Sequence, residues 1–253
     1  MTKAWIIAKR DFRTYFSSPI AYIVIAAFLG VMALMFIPSL AYFEQTVMQY
    51  QQMQGRQVGF TEGVIRPTYG NMCVILLFLI PFITMKLFAE EKKMHTLELL
   101  MTSPVTTLEI VLGKFLASVL FVSVMLALTT IYPLSLLVIG NPDIGPIFGS
   151  YLGLVLMGAA YSAVGIFYSA MTENQIVAGA LSLFTALALF IINWVGQFSG
   201  PVLSDILDQL SLIRHYDSFS NGVLATNDIV FYVSFTGFFL FLTYRVLDSY
   251  RWR

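Results

Sequence analysis

Six stretches of this chain contain no Asp, Glu, Lys or Arg: 20–43, 69–85, 115–139, 147–171, 176–198 and 229–244. A helix needs about 20 apolar residues to cross the hydrocarbon layer of a bilayer. Extended into their flanks, the stretches predict six membrane-spanning helices at about 20–43, 69–88, 110–139, 147–171, 175–198 and 228–247, here TM1 to TM6. The reading is an all-α integral membrane protein, with residues 1–253 forming one transmembrane domain. Composition agrees. Of 253 residues, 58% are hydrophobic and 11% charged, against about 45–50% and about 25% in soluble domains. No globular core of this size hides so much apolar surface.

Charge sets the orientation. Lys and Arg collect on the cytoplasmic side of membrane proteins. With six spans, both termini share a side with the TM2–TM3 and TM4–TM5 connections. That side holds Lys3, Lys9, Arg10, Arg13, Lys86, Lys92, Lys93, Lys114, Arg245, Arg251 and Arg253. The other side holds Arg56, Arg66 and Arg214. Eleven of the 14 basic residues therefore place both termini inside. The net charge of zero gives no field for nucleic acid. A single cysteine, Cys73, offers no disulfide framework. His95 and His215 lie far apart and read as interfacial polar residues.

The N-terminus lacks the pattern of a secretory signal. Residues 3–16 instead place Trp5, Ala8, Phe12, Tyr15 and Phe16 on one helical stripe, opposite Lys3, Arg10 and Arg13. That is an amphipathic helix in the membrane interface, broken at Ser17-Ser18-Pro19 before TM1. Between TM5 and TM6, Leu203, Ile206, Leu207, Leu210 and Ile213 recur at helical spacing, which fits a short outer re-entrant or interfacial helix and fits a simple surface loop nearly as well. Thr172 and Gln175 read as a capping box opening TM5, and Thr106 and Glu109 as one opening TM3. Gly149-x-x-x-Gly153 in TM4 is a candidate close-packing face. Asn193, Trp194 and Gln197 sit toward the outer end of TM5 as a candidate substrate path, although a belt of interfacial aromatics explains Trp194 as well.

The stretch between TM2 and TM3 is the most informative. It reads Glu90-Glu91-Lys92-Lys93-Met94-His95-Thr96-Leu97-Glu98-Leu99-Leu100-Met101-Thr102-Ser103-Pro104-Val105. A short helix with Met94, Leu97 and Met101 on one face, held between two spans, is placed to dock on another protein. A solvated interfacial turn fits the pattern equally on physical grounds.

This stretch resembles the cytoplasmic signature of ABC-2 type ABC transporter permeases: an acidic-basic pair, Gly-Thr-Leu-Glu, a hydrophobic pair and Pro-Val. His95 stands where a glycine is usual. Phe219, Gly222, Asp228 and Tyr232 resemble the segment leading into the last span of the same class, and the layout is most similar to the gliding-motility-associated permease branch. The resemblance implies a type V exporter-like fold in a bacterial inner membrane. It implies a second permease subunit, identical or related, and two ATP-binding subunits that carry the ATP and Mg, with no cofactor on this chain. An auxiliary membrane or periplasmic subunit and lipid complete the implied partners. The coupling helix falls on Glu90, Glu91, Lys92, Lys93, Met94, Thr96, Leu97, Glu98 and Met101, with Arg10, Phe12 and Arg13 of the N-terminal helix as a second contact.

A phosphate-cradling loop needs Gly-x-x-x-x-Gly-Lys-Ser/Thr. The one Gly-Lys pair, Gly113-Lys114, is followed by Phe115, and Leu108 stands where the first glycine belongs. Three rivals remain. An ion-coupled secondary transporter usually carries ionisable residues deep in its spans, which are scarce here. An intramembrane enzyme needs a base beside one of the span serines. A non-transporting anchor subunit is separated from a permease by co-purification with an ATPase.

Overall fold

The computed structural model describes residues 3–53, 59–139, 142–198 and 200–251. It is 89% helix, with no strand among the described residues. In chain order the helices are α1 Lys3–Ser17, α2 Pro19–Met53, a π-helical turn Thr61–Ile65, α3 Arg66–Thr84, α4 Lys86–Lys93, α5 Thr96–Thr102, α6 Thr107–Leu128, α7 Ile131–Ile139, α8 Ile144–Met171, α9 Gln175–Gln197, α10 Pro201–Leu210, α11 Leu212–Ser220 and α12 Thr226–Arg251. Among the described residues, six segments are long and apolar enough to cross a membrane: Pro19–Phe43, Thr61–Lys93, Thr107–Leu137, Ile144–Met171, Gln175–Gly196 and Thr226–Tyr250.

TM4 is the hub. Helix α8 touches α3, α4, α6, α9, α11 and α12. Of its apolar window 67% is buried, against 11% for TM6. Small residues make this possible. A Cβ at Gly149 would meet the Phe219 carbonyl at 2.6 Å, and one at Gly153 would meet Phe219 Cβ and Tyr216 Cδ2 at 2.9 Å. The Gly-x-x-x-Gly face is therefore a close-packing face, and the chain's own α11 covers it.

TM2 is 33 residues long. At about 1.5 Å per residue it is about 50 Å, roughly 20 Å more than the hydrocarbon layer needs. The excess includes α4, the charged extension toward TM3. TM3 breaks between α6 and α7 at Thr129-Thr130, because Pro133 has no amide for the Thr129 carbonyl.

Several local expectations change. The Thr106–Glu109 capping box is present in both halves: Thr106 N donates to Glu109 Oε2 at 3.0 Å, and Glu109 N donates to Thr106 Oγ1 at 3.3 Å. The Thr172–Gln175 box is not. TM5 starts two residues later than a box at Thr172 requires. Asn174 caps it, with Oδ1 accepting from the Ile176 and Val177 amides, while Thr172 Oγ1 accepts from Asn174 N.

The outer helix is two helices. Ser211 breaks the pattern, so Ile213 belongs to α11 and not to the stripe of α10. Helix α10 keeps Val202, Leu203, Ile206 and Leu210 exposed, as an interfacial helix does. Helix α11 turns into the bundle and buries Leu212, Tyr216 and Phe219.

The N-terminal stripe is also rotated from its predicted position. The buried line is Ala4, Ile7, Ala8, Asp11 and Tyr15, while Trp5 is 41% exposed. Helix α1 lies along α6, where Gly113 has no Cβ to collide with Ile7 and the Ala4 carbonyl.

Candidate functional site

The end of the bundle that carries both termini is built around α4. Successive helical residues point about 100° apart. Neighbours Glu91 and Lys92 therefore reach different partners, and both turn inward. Glu91 meets Lys114 of α6. The Lys114 ammonium has three donors and three acceptors: Glu91 Oε1 at 2.7 Å, the Leu87 carbonyl at 2.7 Å and Asp11 Oδ2 at 3.4 Å. Lys114 is 2% exposed, so this match is what makes its burial tolerable. Arg10 closes the cluster, with Nε 2.8 Å from Asp11 Oδ1 and Nη2 3.4 Å from Glu91 Oε1. Burial works against the Arg10 charge; the Asp11 hydrogen bond and the two carboxylates outweigh it and raise its pKa. Three elements distant in sequence are thus tied by one knot of charges.

Lys92 braces the other side. It is buried, donates to the Ala170 carbonyl and sits 3.7 Å from the centre of the Tyr250 ring. Ala170 lies in the last turn of α8, where unpaired carbonyls favour a cation. The extension of TM2 is therefore fastened to α1 and α6 through Glu91, and to α8 and α12 through Lys92.

Past α4 the chain reverses at His95, whose φ of 54° and ψ of 21° are left-handed. A glycine adopts that conformation without the Cβ penalty, which accounts for the usual residue here. The reversal also resets the helical phase, and the predicted face divides. Leu97 is buried against the bundle, Met101 is half-buried, and Met94 stays exposed. The outward face is instead Glu90, Lys93, Met94, Thr96, Glu98 and Leu99, the last 72% exposed. In the N-terminal helix Arg13 is exposed and Phe12 half-buried against Phe16.

The outer end differs. Asn193 is half-buried, its Oδ1 buried and without a hydrogen-bond partner among the described residues, whereas Trp194 is exposed. The two do not line one surface, and the side chain of Gln197 lies outside the described residues. His215, which the sequence leaves without a partner, has Nδ1 2.7 Å from Asp228 Oδ1 and Nε2 3.1 Å from the Gln209 carbonyl, with Phe231 stacked on the ring at 3.8 Å. Beside it, burial raises the pKa of the Asp217 carboxyl, and Arg214 and Arg66 pull it back. Among the described residues no three His, Cys, Asp or Glu side chains converge on a metal site.

Among the described residues the chain thus has six apolar spans, a charge-braced extension of the second and an exposed tip beyond it. A family model described as ABC-2 family transporter protein matches residues 5–247. The chain belongs to the ABC-2 transporter family. No curated protein matches it. This ABC-2 protein is a multi-pass ABC transporter permease, and its family works with ATP-binding subunits. The match does not reach the gliding-motility branch.

Proposed function

We propose that this permease is half of the membrane part of an exporter of the bacterial cytoplasmic membrane. A second permease chain, identical or related, completes the pathway, and two ATP-binding subunits hold and split the ATP and Mg. The permease itself catalyses nothing. Both termini face the cytoplasm, as the eleven basic residues on that side favour. The cargo is amphipathic or lipid-like, in keeping with the scarcity of charge deep in the spans.

The observation that carries this reading is the braced extension with its uncovered tip. An ATP-binding subunit docks on Glu90, Lys93, Met94, Thr96, Glu98, Leu99 and the edge of Met101. Glu91, Lys92 and Leu97 act from behind by holding that face rigid, and Arg13 and Phe12 supply a second edge. A push on the tip reaches α1 and α6 through Lys114, and α8 and α12 through Lys92. Packed elements pass such a displacement on as a body.

The test replaces Met94 and Leu99 together by Asp. Both are exposed, so the thermal stability of the solubilised permease should stay within about 0.5 kcal/mol. Recovery of a co-produced ATP-binding subunit should fall by about tenfold or more, the loss expected for central apolar contacts. Undiminished recovery would remove the docking assignment.

A further inference from the structure

TM2 is not one rod. Its helical ladder is interrupted at Met85, between α3 and α4. Two features near the break come from TM2 itself. Pro81 withholds an amide one turn earlier, and Thr84 Oγ1 donates back to the Ile80 carbonyl at 2.9 Å, a bond that bends helices. The third comes from TM4. Ser169 Oγ accepts from the amides of Phe88 at 3.0 Å and Ala89 at 3.1 Å, and donates to the Met85 carbonyl at 2.7 Å. In an unbroken helix those amides bond to Thr84 and Met85. One fully buried hydroxyl thus stands inside the hydrogen-bond ladder of a neighbouring helix. One turn away on the same face of TM4 is Gly165, where a Cβ would collide with Thr84 Oγ1, so the two helices meet closely at the joint.

We infer that Ser169 is a positioning residue, the pivot on which α4 and the docking tip turn against the buried part of TM2. This rests on the permease reading above. The joint has two arrangements of similar hydrogen-bond count. In the one described, Ser169 makes three bonds to TM2. In the other, the Phe88 and Ala89 amides close onto Thr84 and Met85, and the Ser169 hydroxyl turns to the carbonyl four residues back in its own helix, a habit of serines in helices. A joint that exchanges bonds for bonds can switch without leaving buried polar groups unpaired. Because the pivot sits on TM4, each swing of the tip is felt by the helix that touches most of the bundle.

The experiment uses the full-length permease in nanodiscs, alone and assembled with its ATP-binding subunit, and compares wild type with Ser169→Ala and Ser169→Thr. The first readout is hydrogen exchange at the Phe88 and Ala89 amides. Without the hydroxyl only the closed arrangement pairs both amides, so their exchange should slow by about tenfold in Ser169→Ala, with Ser169→Thr within about threefold of wild type. The second is the distance change between a spin label at Thr102, exposed at the end of α5 and outside the docking face, and one at Leu128 when ATP is added to the complex. Ser169→Ala should keep the partner bound and hydrolysing but lose at least about half of that change; Ser169→Thr should restore it. Wild-type exchange rates in Ser169→Ala overturn the joint. Slower exchange with an unaltered distance change overturns its role in coupling. A wild-type chain that binds no ATP-binding subunit overturns the permease reading instead, while the exchange result still decides the joint.

Discussion

The two ends of the bundle each bury a carboxylate beside a nitrogen-bearing side chain, and they solve the problem differently. At the end that carries both termini Lys114 has an acceptor for every donor, drawn from residues 103, 27 and 23 positions away. At the outer end His215 and Asp228 are 13 positions apart, and Asp228 Oδ2 is left buried without a hydrogen-bond partner. The inner cluster joins distant elements and cannot be loosened locally. The outer pair joins a short helical hairpin to the start of TM6 and can. The first arrangement suits transmission of force and the second suits a cap over the bundle.

The sharpest break in this comparison is Lys114→Met. It leaves Asp11 and Glu91 opposed, with only half-exposed Arg10 to offset them, and should cost about 3–5 kcal/mol, the usual penalty for stranding a buried charge. The check is thermal unfolding in detergent. Adding Asp11→Asn should recover part of the loss; no recovery would mean that the cluster does not act as a unit. The outer end should yield less. Gly153→Val drives a branched side chain into Tyr216 and Phe219 and should cost about 1–3 kcal/mol. The loss should appear as faster amide exchange confined to α10 and α11; exchange that rises equally at α1 and α6 would erase the distinction between the ends. The smallest effect should be at the tip. His95→Gly removes the left-handed Cβ penalty, worth about 1–2 kcal/mol, and admits a more flexible unfolded chain, so a net gain of about 0.5–1 kcal/mol is expected in the same unfolding assay.

The parts of the fold legible in the sequence are those that depend on near neighbours. The six apolar runs, the break at Ser17-Ser18-Pro19 and the Thr106–Glu109 box are local, and each is present. The charge knot is not local. Asp11 carries no motif and Lys114 is half of a failed Gly-Lys motif, because nothing in sequence order joins them. One uninterrupted helix from Met94 to Met101 would carry the docking face through Leu97. A single left-handed residue at His95 ends that periodicity, and only the resemblance, with its usual glycine, carried a trace of it. The Ser169 joint has no sequence signature beyond Pro81, and one span serine looks like another until a neighbouring ladder closes around it.

The central claim is that the inner tip, and not the outer hairpin, meets the ATP-binding subunit. A photo-crosslinking amino acid placed at Leu99 and, separately, at Val202 of α10 tests it in living cells; both positions are exposed. The account predicts an adduct with an ATP-binding subunit from position 99 and none from position 202. An adduct from position 202, or none from position 99 while the permease is present in the membrane, would contradict it.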